Sequence, residues 1–567
     1  MSVGAEELLA PLDEQQRRAA TSLLGPVCIL AGAGTGKTRA ITHRIAYGVA
    51  TGVYPPNRVL ALTFTSRAAG ELRARLRMLG TGAVPARTFH AAALSQLGYF
   101  WPQVVGGQMP ALVPGKARLI AHAADGLHLR LDTAALRDLA AEVEWRKVSK
   151  LSVEQWAARA GASTASGHPA RPLPPRVTIE QAADLMQRYE DLKDERRQLD
   201  FEDVLLAAAG MIAVEERVAQ QVREQYRFFV VDEYQDVNPL QHDLLALWLG
   251  DRDDVCVVGD ASQTIYSFTG ATSDYLLRFG AEHPQAPVLR LESNYRSTGA
   301  IVETANRLVR GRAGALDLRA VGERGLAPVV TEHASDVAEA SAVAAAVVDE
   351  IVRGTAPSDI AVLFRVNAQS AGLEAALARA GVSTRTIGAK AFFDRPEVQH
   401  AMSTLHAQAN LVDPATPLFQ SVSDMLRVVG WTHEAPAGPS VEREKWENLD
   451  AIMSLVDSAP AGTTLRQFVD DLRDRQQVQH APAVAAVTLA TLHSAKGLEW
   501  PSVHLVGLSE GLVPISYATT PEAVDEERRL LYVGVTRART SLRMSWAARS
   551  GGSGASRRPS RFLADLG

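Results

Sequence analysis

The residues with the plainest chemical capacity are AGAGTGKT, residues 31–38, set between the apolar run VCIL (27–30) and an apolar-periodic stretch that begins at Ile41. Four apolar residues are too few for a helix and read as a buried strand, so the order is strand, glycine-rich turn, helix. In that order the backbone N–H groups of the turn and the helix N-terminus cradle phosphate. The turn offers Ala31, Gly32, Ala33, Gly34, Thr35, Gly36, Lys37, Thr38 and Arg39 to a nucleoside triphosphate. Lys37 would reach the β and γ oxygens, and the Thr38 hydroxyl would hold Mg²⁺. Ala31 stands where the usual formula has its first glycine. The pattern specifies an NTPase and leaves its task open.

DEYQD, residues 232–236, supplies what a phosphate cradle lacks. Asp232, at the end of the apolar run RFFVV, can bind Mg²⁺ through water, and Glu233 can polarise the attacking water as a general base. Phosphoryl transfer also needs positive charge in its transition state, where one arginine is worth ~10³ to 10⁵ in rate. Arg296 in LESNYRS and Arg537 in EERRLLYVGVTRAR stand in suitable settings, although either one alone reads as a surface arginine.

These residues need elements to hold them. VLALTFT, RFFVVDEYQD and VCVVGD continue the strand-then-helix alternation, which predicts an α/β fold with a doubly wound parallel sheet and ligands at the carboxyl ends of its strands. Nearly two hundred residues separate the glycine turn from DEYQD, so something is inserted. The expected division is a first nucleotide-binding domain from 1–96 and 201–287, interrupted by a helical insertion over 97–200. Within that insertion the Gly/Ser/Pro-rich segment 161–175 reads as a mobile loop. PVLRLE, IAVLFR, VTLATLH and VHLVG form a second α/β unit over 288–395 and 484–567, without a Gly-Lys-Thr turn and with a short helical insertion over 396–483. The tail SGGSGASRRPS, 550–560, reads as a flexible basic link.

Composition narrows the function classes. A chain of 567 residues and about 61 kDa calls for several globular units. A net charge of -5 argues against bulk coating of a polyanion, so any nucleic acid binds in a local groove. No run of ~18 apolar residues and no signal-peptide pattern occurs, which predicts a cytoplasmic protein with no membrane partner. Two cysteines, Cys28 and Cys256, exclude a disulfide framework and a four-cysteine zinc site. Only eight of the 59 basic residues are lysines, the signature of a G+C-rich genome, and this makes each lysine's position informative.

LDEQQ, AGAGTGKT, TFTSRAA, TFH, DEYQD, VGDASQTIYSFTGA, LESNYRS, FFDRPEV, TLHSAKGLEW and EERRLLYVGVTRAR, in this order, resemble the signature set of superfamily 1 DNA helicases of the UvrD, PcrA and Rep group, from about residue 10 to 565. The resemblance implies two RecA-like domains in tandem. It implies that Gln16 reads the adenine edge, Tyr295 stacks on the adenine, Gln263 senses the γ-phosphate and Glu499 contacts the ribose. Arg296 and Arg537 become the two arginine fingers. Phe64, His90, Tyr266 and Phe268 would touch single-stranded DNA, while His493 and Lys496 would couple the strand to the nucleotide. The implied activity is ATP- and Mg²⁺-dependent 3′-to-5′ translocation and unwinding in repair or replication, on single strands and 3′-tailed duplexes, in contact with repair proteins at the nucleoid. The alternative is a translocase that displaces or recruits proteins without unwinding. Thr269 and Ser262 depart from the pattern, which usually has an arginine and an acid there, and the short second insertion puts duplex engagement in doubt.

Overall fold

A computed structural model describes residues 4–81, 84–165, 173–174, 177–387, 393, 395–409, 412–413, 416–433, 445–446, 448–449, 452–453, 455–456, 459, 462–477, 486–549 and 556–566. The chain divides into two compact units, Met1–Ala31 with Gly36–Leu291 and Gly32–Thr35 with Glu292–Gly567.

The first unit is built on six strands: β1 (Val27–Ala31), β2 (Val59–Thr63), β3 (Ala86–Thr88), β4 (Phe228–Val231), β5 (Val255–Gly259) and β6 (Val288–Leu291). Their order is β3-β2-β4-β5-β1-β6 and every pairing is parallel. β2, β4 and β5 are buried along their whole length, which is why their sequences run apolar without alternation. Helices cover both faces. Ala19, Ile41, Ile45 and Leu72 pack on one side, and Phe89, Leu97, Leu205, Leu244 and Trp248 on the other. Cys28 and Cys256 sit on β1 and β5 as free, buried thiols. The expected doubly wound parallel sheet is present. One strand is assigned differently: PVLRLE, read as the start of the second unit, pairs with β1 as the edge strand β6. Its alternating burial is that of an edge strand half covered by helices, which periodicity alone cannot attach to either sheet.

Four helices, Lys116–Gly126, Thr133–Val148, Val153–Ala165 and Ile179–Glu195, form their own core around Ile120, Leu139, Val143, Trp156, Leu185 and Met186. A short parallel pairing of Ala111–Leu112 with Gln198–Leu199 ties the chain where it leaves and rejoins the sheet. Nearby, Lys147 Nζ donates to Asp200 Oδ2 at 2.7 Å and to Asp203 Oδ1 at 2.5 Å. Lys193 pairs with Glu190 at 2.6 Å and also bonds Asp203, and both ammonium groups are only 3% exposed. The Tyr189 hydroxyl donates to Asp200 Oδ2. A buried charge is tolerable only when paired and hydrogen-bonded in this way. Residues 161–165, expected in a loop, extend the third helix, because Ala, Ser and Thr at a helix end cost little. Residues 166–172 and 175–176 lie outside the described residues.

The second unit repeats the plan with β7 (Val329–His333), β8 (Ile360–Phe364), β9 (Thr384–Ile387), β10 (Val487–Thr491), β11 (Trp500–Leu505) and β12 (Ala538–Ala547). The order is β7-β12-β11-β8-β10-β9, again all parallel. Between β9 and β10 the helices Pro396–Gln408, Leu418–Val429 and Leu465–Gln477 pack a separate core on Val398, Leu405, Leu426, Trp431, Phe468 and Leu472. The tail is less free than its composition predicts. Arg557 N donates to Ala548 O, Ser560 N donates to Leu508 O, and Phe562 is fully buried, because backbone pairing and one aromatic anchor outweigh local polarity. Residues 550–555 of that tail lie outside the described residues.

Candidate functional site

β1 ends at Ala31 and the helix Lys37–Ala50 begins six residues later, so the intervening turn must double back within a few ångströms. Gly36 is the helix cap, at φ 79° and ψ 32°, a conformation that disfavours any side chain. A Cβ there would also lie 2.7 Å from Gln16 Nε2, so the glycine serves backbone and packing together. Gln16 is itself buried, on the helix Glu14–Thr21 that Asp13 caps by accepting from Gln16 N at 2.7 Å. Thr35 closes the turn by donating its hydroxyl to Gly32 O at 2.8 Å. Thr38 lies in the first turn of the helix, partly buried, and Arg39 beside it is exposed.

The carboxyl ends of β4 and β5 bring acids to Lys37. Lys37 Nζ donates to Glu233 Oε1 at 2.9 Å. Gln235 Nε2 donates to Glu233 Oε2 at 2.5 Å, and Gln235 Oε1 accepts from Asp260 N at 3.0 Å, so one amide spans the two strand ends. Glu233 has φ 54° and ψ 40°, a left-handed conformation that costs a non-glycine residue on the order of 1 kcal/mol and that recurs at functional sites. Asp232 N donates to Leu62 O at 2.8 Å, anchoring the turn to β2, and Asp232 Oδ1 accepts from Glu233 N at 2.9 Å. Gln263 Nε2 donates to Asp260 Oδ2 at 2.7 Å. Ser262 presents its backbone N–H to Asp260 Oδ1 at 3.0 Å, so the departure from the family's acid at this position leaves the turn intact.

Electrostatics follow from this crowding. Burial, and then the neighbouring Glu233, push the Asp232 carboxyl up to about 7. Burial alone would lower the Lys37 ammonium, but Glu233, Asp232 and Asp260 outweigh it and hold it above its ordinary value. Asp260 is also raised, by burial first. A lysine beside three clustered carboxyls, two of them held toward protonation, makes a site that gains from a polyvalent cation and a polyanion arriving together.

On the same unit, aromatic side chains reach solvent beyond the strand ends. Phe64, 39% exposed just after β2, stacks on Tyr266 with centroids 5.6 Å apart and an interplanar angle of 15°. Tyr266 meets Phe268, 51% exposed, edge-on at 6.0 Å. Thr269 donates its hydroxyl to Tyr266 O at 2.8 Å, closing the turn that displays Phe268. The His90 ring sits 4.7 Å from Phe201, an exposed aromatic that the sequence reading passed over. Its signal was available: a phenylalanine directly after the helix cap Asp200 faces away from the core. Burial, and then Lys116, lower the His90 imidazole to about 4, so it is neutral at physiological pH. Arg73 donates to Ala86 O, on the strand just before the His90 segment.

In the second unit Arg296 and Glu499 form an ion pair, and Arg296 Nη1 donates to Thr536 O at 3.2 Å. Arg537 is 2% exposed and donates from Nε to Val533 O, from Nη1 to Leu498 O and from Nη2 to Thr536 Oγ1, at 2.9 to 3.0 Å. Arg296, Glu499 and Arg537 therefore gather around one short stretch, Leu498–Glu499 and Thr536. Tyr295 is 46% exposed. His493 is lowered to about 4 by burial, then by Arg365 and Lys496. Arg365 also escaped the sequence reading, although it follows β8 directly. It grips Glu527 with Nε and Nη2, at 3.1 and 2.8 Å to Oε1, and Glu527 accepts from Ile515 N as well.

Two profiles match this chain: the UvrD/REP helicase N-terminal domain over residues 12–284, and the UvrD-like helicase C-terminal domain over 289–433 and 416–549. The chain belongs to the UvrD/Rep family of ATP-dependent DNA helicases. Among its relatives, the ATP-dependent DNA helicase UvrD2 of Mycobacterium tuberculosis (strain H37Rv) is 47% identical, the alignment covering 99% of this chain and 82% of the relative. DNA helicase II of Escherichia coli K12 is 29% identical over 99% of this chain and 88% of its own length. The ATP-dependent DNA helicase PcrA of Bacillus subtilis is 28% identical over 96% and 83%. In this UvrD/Rep chain, among the described residues, no helix is long and apolar enough to cross a membrane, and no group of three or more His, Cys, Asp or Glu forms a metal cage.

Proposed function

We propose that this chain is an ATP-driven motor that moves 3′ to 5′ along single-stranded DNA and unwinds duplex, in DNA repair or replication at the nucleoid. The observation that carries the reading is the Lys37–Glu233 pair at 2.9 Å beside Asp232 and Asp260. Lys37 and Glu233 neutralise each other until a triphosphate draws the ammonium away, which frees the carboxylate to take a proton from the water that attacks the γ-phosphorus. Gln263, held by Asp260, would report the γ-phosphate, and Gln16, Tyr295 and Glu499 would hold adenine and ribose. Arg296 and Arg537 would stabilise the charge of the transition state. The oxygen donors of Thr38 and Asp232 fit Mg²⁺, which keeps several waters and takes its other ligands from phosphate, and bound there it would neutralise developing phosphate charge. The raised Asp232 carboxyl is the observation behind that fit, since a cation would relieve its burial.

Single-stranded DNA would stack on Phe64, Tyr266 and Phe268 and pass His90 and His493, with Lys496 linking strand to nucleotide. Stacking at ~1 to 3 kcal/mol per base is indifferent to sequence, as a motor on arbitrary DNA requires. The helical segments between about 111 and 199 and over 396–483 are proposed as inserted subdomains of two RecA-like domains, 1–110 with 200–291 and 292–395 with 484–567. Repair proteins are proposed as partners. The test is ATP hydrolysis with and without single-stranded DNA, together with unwinding of tailed duplexes. Hydrolysis should rise sharply with single strands and only 3′-tailed duplexes should open. No stimulation would reject the motor, and displacement of a bound protein without unwinding would favour the non-unwinding translocase. Lys37→Ala should abolish turnover, by on the order of 10³-fold or more, while leaving single-strand binding intact.

A further inference from the structure

The second unit carries a cluster of arginines that the motor chemistry does not use. A cavity of about 510 Å³ is lined by Arg307, Leu308, Arg310, Arg312, Arg528 and Asp565. It lies where the helix Gly299–Val309 ends, beside the helix Pro521–Val535 and the buried anchor Phe562. The helix C-terminus explains part of the charge, since cations favour its unpaired carbonyls. Arg528 Nη1 donates to Leu308 O at 3.3 Å and also pairs with Asp565, and Arg307 donates to Leu566 O at 2.7 Å and to Glu303 at 2.9 Å. The remainder is not explained that way. Arg310 is exposed and makes no hydrogen bond or ion pair among the described residues. Arg312 shares the one carboxylate of Asp525 with Arg529, at 3.2 and 2.9 Å. Arg324 reaches only the Glu303 that Arg307 already holds. The lining itself thus holds four arginines and one acid in a chain whose net charge is -5.

We propose that this cluster binds the phosphate backbone of duplex DNA. This inference rests on the helicase reading above. One feature favours duplex over single strands. The lining holds no aromatic side chain, the group that binds unstacked bases, whereas a duplex turns its bases inward and offers phosphates alone. The planar fork of each arginine matches phosphate bidentately, and Arg528 is held rigid by stacking 4.7 Å above the Phe562 ring. The site would hold the unopened part of a tailed substrate without reading its sequence.

The experiment compares the full chain with the Arg310→Ala/Arg312→Ala variant for binding to a blunt duplex and to an oligothymidylate, each across a salt series. The expected result is duplex affinity weakened roughly tenfold at ~0.1 M salt and a salt slope smaller by about 2 for duplex only. Single-strand binding and strand-stimulated hydrolysis should stay within twofold. Unchanged duplex affinity and slope would overturn the proposal and leave ordinary surface arginines. An equal loss on both DNAs would also overturn it, assigning the arginines to the single-strand path. Should the double variant melt early, the single exposed change Arg310→Gln reads the same slope at about 1. A wild-type chain that binds no DNA at all would instead reject the helicase reading.

Discussion

The two α/β units share one scaffold, six parallel strands, yet the charges set beside their strand ends are opposite. In the first, β4 and β5 run into Asp232, Glu233 and Asp260, gathered near Lys37. In the second, β8 runs into Arg365, while Arg537 stands just before β12, at the amino end of that parallel sheet. Parallel strands leave their carboxyl ends open to ligands, and the first unit follows that rule, whereas the buried Arg537 of the second unit lies at the other end of its sheet. The first unit clusters carboxyls around a lysine, and the second carries the guanidinium groups of Arg296, Arg365 and Arg537.

Removing the second unit's contribution should have the largest effect. Arg537→Ala and Arg296→Ala are each expected to lower kcat by ~10³ or more while nucleotide affinity moves far less, a split that steady-state kinetics beside nucleotide titration resolves. Equal losses in both would make the two arginines simple binding groups and erase the contrast between units.

The first unit should reveal itself through pH. A carboxyl raised to about 7 keeps its proton below neutrality, and a cation must displace that proton. Apparent Mg²⁺ affinity, measured by titrating the metal into the nucleotide-bound chain, should fall up to ~tenfold per unit below pH 7 and level off above it. Asp232→Asn should flatten the profile. The same group works the other way on stability. Its folded value lies above the unfolded one of about 4, so the nucleotide-free chain gains stability from it as pH falls from 7 toward 4.

Smaller changes sharpen the picture of the aromatic row. Phe268→Ala should cost ~1 to 3 kcal/mol in single-strand affinity, by fluorescence titration, with no change in nucleotide-only hydrolysis. The smallest expected effect concerns His90 and His493, both held near 4. Single-strand affinity should change less than twofold between pH 6 and 8, because neither imidazole gains a charge there. A rise toward pH 6 would show that one of them titrates and contacts phosphate as a cation.

Much of this was legible in residue order. The strand–turn–helix at 27–50, the acids after RFFVV and the parallel alternation all follow from periodicity and glycine placement, which are local properties. What stayed hidden depended on partners distant in the chain. Val288–Leu291 alternates like any edge strand, and only its pairing with β1 assigns it to the first unit. Gln235 looks like one more polar residue of DEYQD, yet it bridges Glu233 and the backbone of Asp260. β7, β9 and β12 are half exposed or polar, so no apolar run announces them. Phe201 and Arg365 were passed over because a single residue beside a helix cap or a strand end carries no period.

The buried lysines beneath the first helical segment hold a different kind of record. Lys147 and Lys193 are two of only eight lysines among the 59 basic residues of this chain. Their ammonium groups each meet several carboxylates at once, among Glu190, Asp200 and Asp203, and such a spread of directions suits a compact tetrahedral cation better than a flat fork. Replacing either lysine by arginine would therefore keep the charge and lose the geometry, so in this cluster shape as well as charge is the constraint.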